Sequence, residues 1–170
     1  VPVAPHVVAW PGKSTVSELL EIGGEKLPLG TYSVLSNTLP NDYPAIKDKR
    51  AGIQDMGSQL IAEIFFATRG DSPLKWLDLC AGPGGKAALL HNLLVSNNSQ
   101  DSFLANEPTA HRAELVARVV PRAKIVSFDG RDSNSFGEKF DRILIDAPCS
   151  GLGALRRRPE ARWRRTLNDL

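Results

Sequence analysis

Only two of the 170 residues are cysteine, Cys80 and Cys149. That is too few for a disulfide framework, and their positions do not match metal-ligand spacing. Both lie beside expected strand ends, which suits reduced thiols, so a cytoplasmic location is expected. No apolar run approaches the roughly 20 residues that span a bilayer, and the first residues carry no charged-then-apolar pattern. Neither a membrane nor a metal is therefore expected as a partner. No internal repeat or low-complexity tract is visible. The chain opens on Val1 rather than Met, as expected of a fragment or a processed product.

Net charge is small and unevenly placed. The net charge is +2, yet the segment RRRPEARWRR at 156–165 holds six arginines against one glutamate, so the remainder is mildly acidic. Guanidinium groups concentrated beside an aromatic suit a phosphate-rich partner; a solvated helix face is the plainer reading. At this length the chain holds one α/β domain, or a small domain and part of another.

From Val1 to about Arg50, prolines and glycines are frequent and strand signals are short. Thr15 to Glu18 fits a capping box ahead of Leu19 and Leu20, and Gly23–Gly24 should stop that helix. Residues 32–37 read as a short strand. In the run AGIQDMGSQLIAEIFFATRG at 51–70, Asp55 is placed to cap a helix presenting Leu60, Ile61, Ile64 and Phe65 on one side, with Gly70 ending it. Strands follow at 74–79, 102–106, 123–127 and 141–146, with helices at 85–96 and 109–119. Strand and helix alternating in this way predict a parallel sheet with right-handed crossovers, a Rossmann-like α/β fold. The continuous apolar run RILI at 142–145 predicts strands covered on both faces.

The turn after Leu79, in LKWLDLCAGPGGKAALL at 74–90, is the first chemical signal. A P-loop fails there, because Cys80 stands where its first glycine belongs and Ala87 where its hydroxyl belongs. The dinucleotide pattern G-x-G-x-x-A is met by Gly82 to Ala87, and Glu107 closes the next strand, placed to accept from ribose hydroxyls. That arrangement serves NAD and S-adenosylmethionine alike, and a tight connection without ligand equally. Asp78 stands before the glycines, where it would orient the turn or meet the ammonium of a methionine moiety. Asp129, in SFDGRD, is placed to accept from an adenine amino group. These two carboxylates favour the methyl donor.

The second signal is DRILIDAPCSGLG at 141–153. In a doubly wound sheet the ligand crevice lies at the carboxyl ends of the strands, so Asp146 and Cys149 should emerge beside the glycine turn. A strand-ending proline and a small buried cysteine are the packing alternative. A hydrolase nucleophile is not expected, since His6, His91 and His111 show no pairing with Cys149.

LDLCAGPGGK together with DAPCSG resembles the Sun family of RNA cytosine-carbon-5 methyltransferases, most nearly the bacterial enzymes acting on 16S ribosomal RNA. The likeness runs from about residue 50, where GIQDMGSQL is similar to a segment ahead of the cofactor motif, to Leu170. It implies a class I methyltransferase fold ending here after the fourth strand. Residues 1–50 are then an N-terminal α+β segment packing on the core, and 51–170 a partial catalytic domain holding the cofactor-binding half. It implies S-adenosyl-L-methionine contacts at Cys80, Ala81, Gly82, Pro83, Gly84, Gly85, Lys86, Glu107, Asp129 and Asp146. In such enzymes a cysteine thiolate adds to carbon-6 of cytosine and activates carbon-5 for methylation. The family nucleophile sits in a later Thr-Cys motif, absent from this sequence. Cys149 would assist breakdown of the adduct, and Asp146 would hydrogen-bond the cytosine. The chain alone is therefore expected not to complete methylation. Arg156, Arg157, Arg158, Arg162 and Trp163 are expected to guide the RNA. The competing readings are an NAD-dependent oxidoreductase and a non-catalytic RNA-binding fragment.

Overall fold

The computed structural model describes residues 4–97, 100–149 and 163. Residues 6–53 contribute an antiparallel sheet of β1 (His6–Ala9), β2 (Gly24–Lys26), β3 (Ser33–Ser36) and β4 (Ala51–Ile53), in the order β2-β3-β1-β4. Sequence reading found only one of these strands. Segments such as HVVA and AGI are too short to show a period of two before the sheet assembles around them. Two helices accompany the sheet, α1 (Val16–Ile22) and the single turn α2 (Pro44–Lys47).

The expected cap of α1 is present in half. Thr15 accepts the Glu18 amide at 3.2 Å, and Gly23, at φ +127°, ends the helix. The Glu18 carboxylate goes elsewhere, taking a two-pronged bond from Arg50 at 2.7 and 2.9 Å. A planar guanidinium satisfies both carboxylate oxygens at once, which a single backbone N–H cannot. The pair ties α1 to the start of β4.

Strand β1 joins two cores through its alternation. Val7 and Ala9 pack with Leu19, Val34, Tyr43, Ala45 and Ala51, while Val8 and Trp10 enter the main cluster around Trp76 and Leu89. Successive side chains of an extended strand point to opposite sides, so one four-residue strand serves both.

Helix α3 (Met56–Ala67) follows, and then the parallel half: β5 (Lys75–Asp78), α4 (Gly85–Ser96), β6 (Ser102–Asn106), α5 (Ala110–Val119), β7 (Lys124–Val126) and β8 (Arg142–Leu144). These elements lie where the alternating pattern puts them. Their sheet order is β7-β6-β5-β8, every pair parallel. In order of appearance that is 3-2-1-4, a Rossmann-like arrangement. The connection reverses direction between β5 and β8, and the crevice beyond those two strand ends is where such sheets bind ligands.

Two expectations need correction. Helix α3 fully buries Gln59 and Ala62; of the proposed stripe Phe65 packs against Trp76 and Leu60 is half-buried, but Ile61 and Ile64 are exposed. It ends at Ala67, with Thr68 as its C-cap, ahead of Gly70. The neighbour of α3 is α4, whose small Ala87 and Ala88 are fully buried, so the contact selects close approach over bulk. The sheet is also not covered on both faces by the described residues. Trp76, Phe103, Ala105 and Leu144 join the cluster on the helix side. On the other side Leu77, Leu79, Ile143 and Ile145 line an open groove of about 350 Å³ with Phe136 and Phe140, leaving Ile145 60% exposed. Between β7 and β8 the described chain supplies a 3-10 turn, Ser133–Phe136, instead of a helix. Apolarity alone did not distinguish that half-covered strand from one buried on both sides.

Gly84 connects sequence to packing. Its φ is +114°, and a Cβ there would stand 2.7 Å from Val119 Cγ2 and 3.3 Å from Val116 Cα. Helix α4 can therefore start against α5 only if this residue has no side chain. Gly84→Ala is predicted to cost about 3 kcal/mol from backbone strain and overpacking together. The measurement is the urea midpoint, and adding Val119→Ala should recover the packing part. An unchanged midpoint for the single variant would contradict the assignment.

Candidate active site

The turn after β5 is held from β6. Glu107 is 3% exposed at the end of that strand. Its Oε2 accepts the Gly82 amide at 3.1 Å, and its Oε1 accepts the Thr109 amide at 3.0 Å. Arg112 from α5 completes the clamp, with Nε 3.6 Å from Glu107 Oε2 and Nη2 donating to the Gly82 carbonyl. A Cβ on Gly82 would lie 2.8 Å from the carboxyl carbon of Glu107, so this glycine is required by close approach. The carboxylate expected to face a ribose thus also shapes the turn. A carboxylate has about four lone-pair directions, and two backbone bonds leave acceptor capacity.

Asn106 performs a related task unnoticed in the sequence. Fully buried, it donates from Nδ2 to the carbonyls of Leu79 (3.0 Å) and Phe128 (3.2 Å), and its Oδ1 accepts the Phe128 amide at 2.9 Å. It thereby joins the segments leaving β5 and β7. A polar residue closing an apolar strand was the available signal. Beyond Phe128, Asp129 is exposed and engaged by Arg131, with Oδ2 to Nη2 at 2.6 Å. The guanidinium holds its carboxyl down to about 2, well below the usual carboxylate range.

The other half of the site is built around Lys86 in the first turn of α4. Its ammonium donates to Asp146 Oδ2 at 2.6 Å and to Ser58 Oγ of α3 at 3.1 Å. The Lys86 side chain is 15% exposed, whereas Asp146, beyond β8, is 54% exposed. One half-buried cation therefore links the glycine turn, α3 and the Asp146 loop. Ser58 was missed because a single serine in the first turn of a helix has no distinguishing pattern.

Asp78 is 1% exposed at the end of β5, and the group nearest to satisfying its carboxylate is the Cys80 N–H, whose contact falls short of good hydrogen-bond geometry. Burial pushes the Asp78 pKa up to about 7; the Cys80 N–H and the Lys86 ammonium oppose the shift, and Asp146 and Glu107 add to it. Burial likewise raises the Cys80 thiol, helped by the carboxylates of Asp78, Glu107 and Asp146. Cys80 is thus kept as a neutral thiol and is a poor nucleophile. Cys149 is free and exposed.

The structure brings Cys80, Ala81, Gly82, Pro83, Gly84, Gly85, Lys86, Glu107 and Asp146 to one end of the sheet. Asp129 follows β7 at that same end. Trp163 is 86% exposed; Arg156, Arg157, Arg158 and Arg162 lie outside the described residues. Among the described residues no cluster of His, Cys, Asp or Glu could hold a metal ion, and no helix is long and apolar enough to cross a membrane.

The sequence profile of the family described as 16S rRNA methyltransferase RsmB/F matches residues 67–170. The chain belongs to that family. A Mycobacterium tuberculosis protein named as a methyltransferase is 44% identical over 98% of this chain and 37% of its own length. The ribosomal RNA small subunit methyltransferase B of Vibrio vulnificus is 34% identical over 76% of this chain and 30% of its own. The chain thus spans about a third of the length of these relatives. Among solved structures, a methyltransferase homologue from Pyrococcus horikoshii superimposes with TM-score 0.72 at 18% identity, covering 99% of this chain and 55% of that one. NSun6 from Pyrococcus horikoshii, solved with SFG, an analogue of S-adenosylmethionine, gives TM-score 0.63 at 24% identity, covering 79% and 34%. RsmB/F methyltransferases, as members of the Sun family, use S-adenosylmethionine as methyl donor.

Between pH 4 and 7 the folded RsmB/F chain keeps a proton on Asp78 that the unfolded chain has released. The folded state then binds more protons, so this group makes stability fall as pH rises through that window. Urea midpoints at pH 5 and pH 8 measure it. The fall is predicted to be smaller in Asp78→Asn than in the parent chain; equal falls would contradict the buried, raised carboxyl.

Proposed function

We propose that this chain is the donor-binding part of an enzyme that methylates carbon-5 of a cytosine in RNA, 16S ribosomal RNA being the expected substrate. The observation that carries the reading is the Lys86–Asp146 bridge at 2.6 Å, which couples the glycine turn to the DAPC segment at the switch point of the sheet.

The residues present suit S-adenosylmethionine. The absence of a Cβ at Gly82 lets the turn lie against Glu107, the carboxylate assigned to the ribose, and the buried carboxylate of Asp78 stands just before the turn, where it could meet an ammonium group. We assign the contacts to Cys80 through Lys86, Glu107, Asp129 and Asp146, with the ribose shared between Glu107 and the turn. When bound, the donor supplies an electrophilic methyl group on a sulfonium.

The chain's own residues would then do the following. Lys86 fixes one oxygen of Asp146, leaving the other to accept from the amino group and protonated ring nitrogen of a cytosine. That hydrogen bonding stabilises the ring as a thiolate adds at carbon-6 and carbon-5 becomes nucleophilic. After transfer, the carbon-5 proton leaves to a base, and the carbon–sulfur bond breaks to restore aromaticity; the exposed Cys149 assists this breakdown. Its two cysteines are preceded by Leu79 and Pro148, so neither forms the Thr-Cys motif of the family nucleophile. Arg156–Arg158, Arg162 and Trp163 would hold the RNA backbone and stack on a base of the partly unstacked strand. Residues 1–50 are assigned as an N-terminal α+β segment beside the 51–170 domain.

Isothermal calorimetry separates this reading from a nicotinamide enzyme. S-adenosylhomocysteine should bind, NAD should not, and Lys86→Met should weaken the former more than tenfold. NAD binding without S-adenosylhomocysteine binding would reverse the reading. For the RNA, replacing Arg156, Arg157 and Arg158 with glutamine should weaken oligonucleotide binding. It should also lower the slope of log affinity against log salt by about 2, at roughly 0.7 per single-strand phosphate contact. Unchanged affinity and slope would reduce the segment to a solvated surface.

A further inference from the structure

The GIQDMGSQL segment at 52–60 holds none of the assigned donor contacts, yet it opens the helix that touches Lys86. The start of that helix is pinned by neighbours. The Met56 amide donates to His6 Nδ1 of β1 at 3.2 Å, and the Gln54 amide donates to the His6 carbonyl at 3.2 Å. The fully buried Gln59 donates from Nε2 to the Gln54 carbonyl at 2.7 Å. Ser58 therefore projects from a fixed first turn of α3, and its Oγ accepts from Lys86 Nζ at 3.1 Å.

Asp146 depends on that anchor. It lies beyond β8 with its side chain 54% exposed, and among the described residues Lys86 is its only hydrogen-bond or ion-pair partner. A half-exposed ion pair gains little in water, and a lysine gives up rotamer freedom to form it. The 2.6 Å bridge alone would leave the ammonium free to swing on its flexible stem. An ammonium donates in three directions, and a hydroxyl that accepts one of them fixes the aim of the others. Ser58 is thus placed to act on Asp146 without touching it.

We infer that Ser58 is a positioning residue for target-base selection: its hydroxyl orients the Lys86 ammonium, and through it the Asp146 carboxylate that separates cytosine from uracil. Cytosine offers an amino group where uracil offers a carbonyl. A carboxylate favours the first and repels the second, and does so best while its free oxygen is held in the plane of the base. The inference rests on the cytosine reading of Asp146 and brings the α3 segment into the site. A serine that only satisfied a half-buried ammonium would alter stability and leave base choice alone.

The test uses the full chain saturated with S-adenosylhomocysteine. Backbone nitrogen relaxation at Asp146 and Ala147 reads the order of the loop. Binding of two short RNA oligonucleotides that differ by one cytosine-to-uracil change reads base choice, with the phosphate contacts equal in both. Ser58→Ala should fold, since alanine is the better helix former. It should loosen the loop and cut the cytosine preference by about threefold or more, and Ser58→Thr, which keeps the hydroxyl, should restore both. In an Asp146→Ala background Ser58→Ala should change the preference no further, as residues acting along one chain of contacts do. Loop order equal to the parent's in Ser58→Ala, or the same loss of preference with and without Asp146, would overturn the inference. A parent chain that does not prefer cytosine would overturn the cytosine reading of Asp146 instead, and loop order then decides alone whether Ser58 positions that carboxylate.

Discussion

The site depends on one buried carboxylate. Glu107 leaves the end of β6 with almost no exposure and gathers two backbone N–H groups, from Gly82 and Thr109, with the Arg112 guanidinium beside it. A carboxylate in that position is tolerable because two backbone N–H groups and a guanidinium compensate it. The cost of its burial forces the turn after β5 into one shape. Gly82 must lie against the carboxyl group, Gly84 must take its positive φ against α5, and α4 then starts in a single place. Everything positioned by α4 inherits that constraint.

Lys86 is the main beneficiary. Placed by the turn, its ammonium reaches Asp146 from β8 and Ser58 from α3, so three separately folded segments meet at one nitrogen. Asn106 does the same with neutral groups, joining the carbonyls that leave β5 and β7. The site also stores an imbalance: Asp78 is buried with at most the poorly formed Cys80 N–H contact and is pushed toward neutrality. Strained or unsatisfied groups gather where ligands bind, because a ligand completes what the fold leaves open. Asp78 is such an opening, placed directly before the turn.

The parallel half of the fold was legible from residues 74 to 146 because its helices α4 and α5 run for 12 and 10 residues and alternate with short apolar runs, and because the first of them follows a glycine-bearing turn. The glycine turn, Glu107 and Asp146 were found by the same logic, since a strand end in such a sheet is a ligand position. The N-terminal sheet was not legible: three- and four-residue strands acquire their alternation only when β1 is wedged between two cores. The apolar stripe proposed for α3 held only in part: Phe65 packs edge-on against Trp76, while Ile61 and Ile64 are exposed and Gln59 and Ala62 are the buried positions. The engagement of Glu107 with the turn, and of Glu18 with Arg50 in place of its own helix start, are tertiary choices that spacing does not encode. The arginine segment lies outside the described residues, so its role stays a reading of charge.

The central claim is that the turn shaped by Glu107 is the seat of the methyl donor. A crystal structure of this chain with S-adenosylhomocysteine tests it most directly. The account predicts ribose hydroxyls on Glu107, the amino-acid end toward Asp78 and Lys86, and the Gly82–Glu107 hydrogen bond retained. Ligand density elsewhere on the chain, or a turn that must release Glu107 and repack α4 to admit the ligand, would contradict it.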